Sequence, residues 1–177
     1  MSESTEPRNR ITDHAIVAAI LARTPSTVLD LGCGDGWLCR ALAPHRIRAL
    51  GVDVVDGLID AARMAGTGEF RVASYESIAA GELMITVDVA VANFSLLDTE
   101  ATEGVVAAVP ALLRPGGAFV IQTLHPDVAA DDRAEVRTRE SWKAMLMQAG
   151  FREPTLIEPV IPKTGRPASL ILVAEPR

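Results

Sequence analysis

Residues 27 to 36, Thr-Val-Leu-Asp-Leu-Gly-Cys-Gly-Asp-Gly, are the segment whose residue types and spacing most directly suggest chemistry. Val28, Leu29 and Leu31 make an apolar strand, and Gly32, Gly34 and Gly36 make the turn that follows it. Glycine at alternate positions opens backbone conformations closed to other residues and lets a ligand lie against the main chain with no Cβ between them. That is a cradle for a nucleotide-type ligand. A dinucleotide fingerprint, G-x-G-x-x-G, would need its third glycine at position 37, where this chain has the bulky Trp37. The spacing is instead G-x-G-x-G, with Asp30 two residues before the first glycine. An acid at the end of the next strand, about 20 residues past that glycine, is placed to accept hydrogen bonds from ribose hydroxyls, and Asp53 stands there.

The elements that must position these residues alternate in the order expected for a parallel sheet covered on both faces. A helix is expected over 12–22, capped by Thr12 or Asp13, with Ile16, Ala19, Ile20 and Arg23 on one side. Strands follow at 27–31 and 47–54, separated by a short helix at 37–43 that Pro44 closes. A helix at 57–65 runs into the Gly66-Thr67-Gly68 turn and a short third strand at 70–73. The nearly unbroken apolar run 87–93 reads as a central strand buried on both faces. A helix at 103–113 is stopped by Arg114-Pro115-Gly116-Gly117 ahead of a fifth strand at 118–123. A last helix is expected at 140–149.

Composition narrows the functional classes. A chain of 177 residues that is 49% hydrophobic can bury a full core as one domain. Its net charge of −6 and the lack of a basic cluster, beyond Arg133, Arg137 and Arg139 alternating with acids, argue against nucleic acid as a partner. The polar start, Met1 to Arg10, and the absence of a long apolar run argue against a signal or membrane segment, so a cytoplasmic location is expected. Two cysteines, Cys33 and Cys39, offer neither a disulfide framework nor a zinc spacing, and Asp98, His125 and Asp127 form no metal-ligand spacing, so no metal is expected.

Asp30 with G-x-G-x-G at 32–36 resembles the first motif of the class I S-adenosylmethionine-dependent methyltransferases. Val-Asp-Val-Ala-Val-Ala-Asn-Phe-Ser-Leu-Leu at 87–97 resembles their fourth-strand motif, and Leu-Leu-Arg-Pro-Gly-Gly-Ala-Phe-Val-Ile at 112–121 resembles the element before their fifth strand. Gly150-Phe151 and 166–173 are similar to the closing helix and terminal hairpin, so the likeness runs from about residue 25 to the end. It implies a Rossmann-like three-layer α/β sandwich with a seven-stranded, mostly parallel sheet whose last strand is antiparallel. It also implies one domain over 1–177: a cap helix in 1–24, a cofactor-binding core in 25–125, a short variable linker in 126–139, and a closing helix and hairpin in 140–177.

The resemblance assigns S-adenosylmethionine as cofactor and S-adenosylhomocysteine as product. Asp30 then pairs with the methionyl ammonium, and Gly32, Cys33 and Gly34 offer backbone contacts to the methionyl carboxylate and ribose. Asp53 holds the ribose and Val54 covers one adenine face. Where the family commonly has an Asp that accepts from the adenine amino group, this chain has Ser74, followed by Tyr75, which stacks or packs near the adenine. Asn93 and Phe94 stand where the methyl group emerges. His125, in Leu-His-Pro at the end of strand five, is the titratable candidate for a general base, with a structural hydrogen bond as the alternative; His14 has no assigned role and His45 is expected in solvent.

The expected partner is a small-molecule acceptor methylated at oxygen, nitrogen or carbon. Only Pro126 to Arg139 is available to build an acceptor region, and Ala129 to Arg133 reads as polar and mobile. The site is therefore expected to take a small acceptor, to be closed by the N-terminal helix and a neighbouring subunit in a homodimer, or to be open and weakly active. The competing reading is a methyltransferase-like binding or partner protein without turnover; a nicotinamide-dependent oxidoreductase is disfavoured by Trp37.

Overall fold

A computed structural model describes residues 5–97, 99–129 and 136–177. Chain order gives helix α1 (Thr5–Leu21), strand β1 (Thr27–Leu31), α2 (Trp37–Leu42), β2 (Arg48–Asp53), α3 (Asp56–Ala65), β3 (Glu69–Val72), α4 (Tyr75–Ala79) and β4 (Val87–Asn93). The second half holds α5 (Thr99–Leu112), β5 (Leu113–Thr123), α6 (Pro126–Ala129), α7 (Arg139–Gln148), β6 (Thr155–Ile157) and β7 (Leu170–Ala174).

The seven strands form one sheet in the order β3-β2-β1-β4-β5-β7-β6. Neighbours from β3 through β5 pair parallel, and β7 runs antiparallel to both β5 and β6. From β1 the chain builds outward through β2 and β3, and from β4 it builds the other way. The reversal between β1 and β4 leaves a crevice at the carboxyl ends of these strands, where such sheets bind ligands.

Two apolar layers sandwich the sheet. Leu29 and Leu31 face a core with Ile78, Val105, Val109, Phe119, Trp142 and Phe151, whereas Val28 faces Ile16, Ile20, Leu38, Leu42, Ile59 and Val120. All five residues of β1 are buried, as a central parallel strand requires. Burying side chains of this size on both faces removes roughly 1.5–3 kcal/mol of unfavourable hydration each.

Several sequence expectations shift. The first helix begins at Thr5, so Thr12 and Asp13 are inside it and cap nothing; Thr12 is buried and its carbonyl accepts a hydrogen bond from Gln122 Nε2 at 3.1 Å, tying α1 to β5. Helix α5 begins at Thr99, ahead of 103, and Arg114-Pro115-Gly116-Gly117 is part of β5, which starts at Leu113 and slips register against β4 between Val87 and Val89. The short helix α4 was not expected. Ser74 creates it: its hydroxyl accepts from the Ser77 N–H at 3.1 Å, the usual N-cap bond. Within the 126–139 linker, α6 covers the start; the polar stretch expected at Ala129 to Arg133 lies mostly outside the described residues.

Candidate functional site

At the β1–β4 crevice a cavity of about 430 Å³ is walled by Gly32, Asp53 and Val54 on one side and by Ala73, Ser74, Tyr75 and Glu76 on another. Phe94, Ser95 and Ala101 close it. Of the sequence-selected residues, Gly32, Asp53, Val54, Ser74, Tyr75 and Phe94 meet here.

The glycine turn is pinned to β2 by its own N–H groups. Gly32 N and Cys33 N both donate to the Val52 carbonyl, at 2.8 and 3.0 Å, and Gly34 N donates to Asp53 Oδ2 at 3.0 Å. The three donors expected to meet the methionyl carboxylate and ribose are thus engaged inside the protein, which corrects the form of that contact. A pyrophosphate cradle works by offering free N–H groups. This turn offers few, and its surroundings are rich in acceptors instead.

Gly36, at φ +78°, is a position where only glycine fits, because an added Cβ would lie 2.6 Å from the Phe70 ring. At Gly32, φ +74°, the same test puts a Cβ 2.4 Å from Ser95 Cβ and 2.8 Å from the Tyr75 hydroxyl. The tip of the cradle is therefore roofed by Tyr75 and Ser95. Ser95 Oγ donates to the Leu31 carbonyl at 2.6 Å, and the Tyr75 hydroxyl lies 3.2 Å from the Ser95 carbonyl and 3.4 Å from that of Leu31. Burial pushes the Tyr75 phenol up to about 12, so it stays protonated at neutral pH. Tyr75 thus reaches past the expected adenine end to the glycine turn.

Asp30 is 1% exposed; among the described residues its Oδ1 has no hydrogen-bond partner, and its Oδ2 receives the Cys39 thiol at 3.8 Å. Burial, with the nearby Asp53 charge adding to it, raises its carboxyl to about 7 against the thiol's opposing bond. An orphaned buried acceptor is costly unless a ligand or water completes it. Neither Asp30 nor Asn93 is on the cavity wall, and among the described residues Asn93 Oδ1 is likewise buried without a partner. The two oxygens lie toward the ends of β1 and β4, two residues before Gly32 and one before Phe94 on that wall. Phe94 takes φ +53°, a left-handed conformation rare for a bulky residue, and its N–H is held by the Gln122 carbonyl at 2.8 Å.

Cys33 is buried, its sulfur packs where a Gly51 Cβ would be, and burial beside Asp30 pushes its thiol up to about 12. That is the environment of an inert thiol. Ser74 keeps its place on the wall, with its hydroxyl shared with the α4 cap.

His125 is 1% exposed and is not on the cavity wall. Its Nδ1 accepts from the Asp127 N–H at 3.2 Å, and its Nε2 lies 2.8 Å from Arg139 Nη2 and 3.3 Å from Glu158 Oε1. Arg139 also binds Asp127 and Glu158, and both carboxyls are held below their usual range chiefly by its hydrogen bonds. The ring knots β5, α7 and the segment after β6 together, and this geometry favours the structural reading over the base. His45 is exposed, and His14 is exposed on α1. Ser95 lies one residue beyond Phe94 in the strand-four motif; its signal is the crowding of Gly32, visible only in three dimensions.

A parallel sheet reversing between β1 and β4, with an acceptor-rich glycine turn and a strand-end acid at its crevice, defines a Rossmann-like domain built for an adenosyl cofactor with a cationic end. A family model described as a methyltransferase domain matches residues 7–156, and the chain belongs to that family, the S-adenosylmethionine-dependent methyltransferases of class I. A curated ubiquinone biosynthesis O-methyltransferase of Xanthomonas campestris is 31% identical over 119 residues, covering 64% of this chain and 49% of the relative. The chain spans about half the length of the curated relatives it matches. Among solved structures, an S-adenosylmethionine-dependent methyltransferase from Mesorhizobium loti superposes with a TM-score of 0.69 at 24% identity, covering 89% of this chain and 95% of that one. Magnesium protoporphyrin IX methyltransferase of Synechocystis, solved with bound S-adenosylhomocysteine, gives 0.74 at 16% identity over 98% and 87%. These two likenesses concern the fold.

Proposed function

We propose that this protein transfers a methyl group from S-adenosylmethionine to an oxygen of a small-molecule acceptor. The observation that carries the cofactor half is the glycine turn: its N–H groups at Gly32, Cys33 and Gly34 are turned inward, while Asp30 Oδ1, Asn93 Oδ1 and Asp53 supply acceptors. The choice of oxygen rests on the O-methyltransferase relatives.

When bound, S-adenosylmethionine supplies a methyl carbon already activated by its positive sulfur. The remaining work is alignment and exclusion of water. Asp53 holds the ribose with the lone pairs left by Gly34 and Val55, and Val54 and Ser74 flank the adenine. Asp30 faces the methionyl ammonium, and Asn93 and Phe94 stand at the acceptor side. No general base is assigned to His125; the acceptor oxygen reacts as its anion, a carboxylate or a phenolate whose proton has already left to solvent, and the C–O bond forms as the S–C bond breaks and the sulfur leaves as a neutral thioether.

A second reading, a methyltransferase-like binding protein without turnover, is favoured by the engagement of both His125 ring nitrogens. Incubation with S-adenosylmethionine and a panel of phenols, catechols, carboxylic acids and amines, monitored for S-adenosylhomocysteine, separates the two. Formation with an oxygen acceptor supports the proposal, formation only with amines overturns the choice of atom, and none with any acceptor favours the binding reading.

A further inference from the structure

Among the described residues, strand β3 ends the sheet with no strand beside its outer edge. The backbone groups of a strand face its two neighbours alternately. Ala73 N donates to the Asp53 carbonyl at 3.0 Å, so Glu69 and Arg71 turn their N–H and C=O groups to β2 as well, and Phe70 and Val72 turn theirs outward. Arg63 Nη2 reaches the Phe70 carbonyl at 3.1 Å and leaves it a second lone pair. The Phe70 ring is buried on one face of the sheet. Glu69 and Arg71 stand on the other, each more than half exposed, with carboxylate and guanidinium 3.6 Å apart.

This edge is complementary to itself. Two copies related by a two-fold axis through Phe70 pair antiparallel, with Phe70 against Phe70 and Glu69 of each copy against Arg71 of the other. The outward-facing Phe70 residues then exchange both of their N–H···O bonds, and the opposite charges fall in the closer, non-hydrogen-bonded positions. A slip of one residue sets outward-facing groups against inward-facing ones, and a slip of two sets Arg71 against Arg71 or Glu69 against Glu69. Backbone and charge therefore select the same register. A strand this short cannot hold a dimer alone, which takes about 800 Å² from each partner. Val72 on β3 and Val55, Leu58 and Met64 on α3 and its lead-in are exposed apolar side chains at this end of the sheet and supply further surface. The other free edge, β6, has no such match. Its three residues, Thr155–Ile157, carry no charge and lie between Pro154 and Pro159, residues that guard an edge.

We propose that the outer edge of β3 docks a second copy of this chain, joining the two sheets through Glu69–Val72 in the register centred on Phe70. β3 ends one residue before the cavity wall at Ala73, so the seam fixes the strand from which that wall continues. The inference does not depend on what the cavity binds.

The test is sedimentation equilibrium of the wild type, of Arg71→Glu and of the double variant Glu69→Arg with Arg71→Glu, thermal melting having confirmed that each folds. Arg71→Glu sets like charges against each other at both positions, and the double variant restores opposite charges with the sign reversed. The wild type is expected to show twice the 18.8 kDa chain mass. Its dissociation constant is expected on the order of micromolar, raised about tenfold or more in Arg71→Glu and returned to within about threefold in the double variant. A wild type that stays monomeric up to roughly 100 µM overturns the proposal. So does a dimer that Arg71→Glu leaves intact, or one that the double variant fails to restore.

Discussion

Asp53 Oδ2 accepts the N–H of Gly34 at 3.0 Å, while its Oδ1 accepts that of Val55 at 2.9 Å, so one carboxylate joins the end of β2 to the cofactor turn. The acid that holds the ribose in this account also holds the loop beneath it. Asp53→Ala is expected to fold but to weaken S-adenosylhomocysteine by about 1–3 kcal/mol, read by calorimetry. Unchanged affinity would remove the ribose from this position.

Asp30 makes the cofactor-free protein pH-sensitive. Its folded-state carboxyl sits at about 7, raised mainly by burial from an ordinary value of 3.8. Below about pH 4 both folded and unfolded states hold the proton and Asp30 adds no pH dependence. Between pH 4 and 7 the unfolded chain releases it while the folded one keeps it, so stability falls with rising pH, by an amount on the order of 4 kcal/mol, and levels off above 7. Asp30→Asn is expected to lose this component and to melt higher than wild type at pH 8. Denaturation curves of equal slope against pH for both proteins would contradict the burial argument.

At the opposite end of β1 and β4, Asp88 receives the N–H groups of Ser26 and Thr27 at 2.9 and 2.8 Å and the Thr27 hydroxyl at 2.9 Å, and Arg114 reaches its Oδ1 at 3.0 Å. Partial burial raises its carboxyl, but the bonds from Arg114, Thr27 and Ser26 outweigh this and hold it at about 2. Its stabilisation is present above about pH 4 and is lost as pH falls through 2. Asp88→Ala is expected to cost about 1–3 kcal/mol in urea denaturation at pH 7, with cofactor affinity unaffected. A loss of affinity without a loss of stability would reverse that assignment.

His125→Gln tests the knot around Arg139. The amide fits the space but cannot meet Asp127, Arg139 and Glu158 as the ring does, and a loss of about 1–3 kcal/mol in stability is expected, with cofactor affinity retained. Once an acceptor is found, a pH–rate profile that loses its ascending limb in this variant would restore His125 as a base.

The sequence made the sheet legible because its signals are local. The apolar run of β4, the glycines after β1 and the acid at the end of β2 each occupy a few consecutive residues, and their spacing fixes the crevice. What stayed hidden depends on distance in space. Ser74 reads as a strand-end polar residue until Ser77 shows it to be a helix cap. Tyr75 was expected at the adenine, and only the fold carries its hydroxyl to Leu31 and Ser95, 44 and 20 residues away in the chain. The sequence leaves His125 open between a base and a structural hydrogen bond, because the partners that decide it, Arg139 and Glu158, lie on elements that arrive later. The inward turn of the Gly32 and Cys33 N–H groups toward Val52 is likewise a property of the paired strands.

The central claim, an acceptor-rich cradle for an adenosyl cofactor with a cationic end, is tested most directly by parallel calorimetric titrations with S-adenosylmethionine, S-adenosylhomocysteine and NAD. Binding of the first two with dissociation constants on the order of micromolar, and none of NAD, is the predicted result. Binding of NAD, or of none of the three, would contradict it.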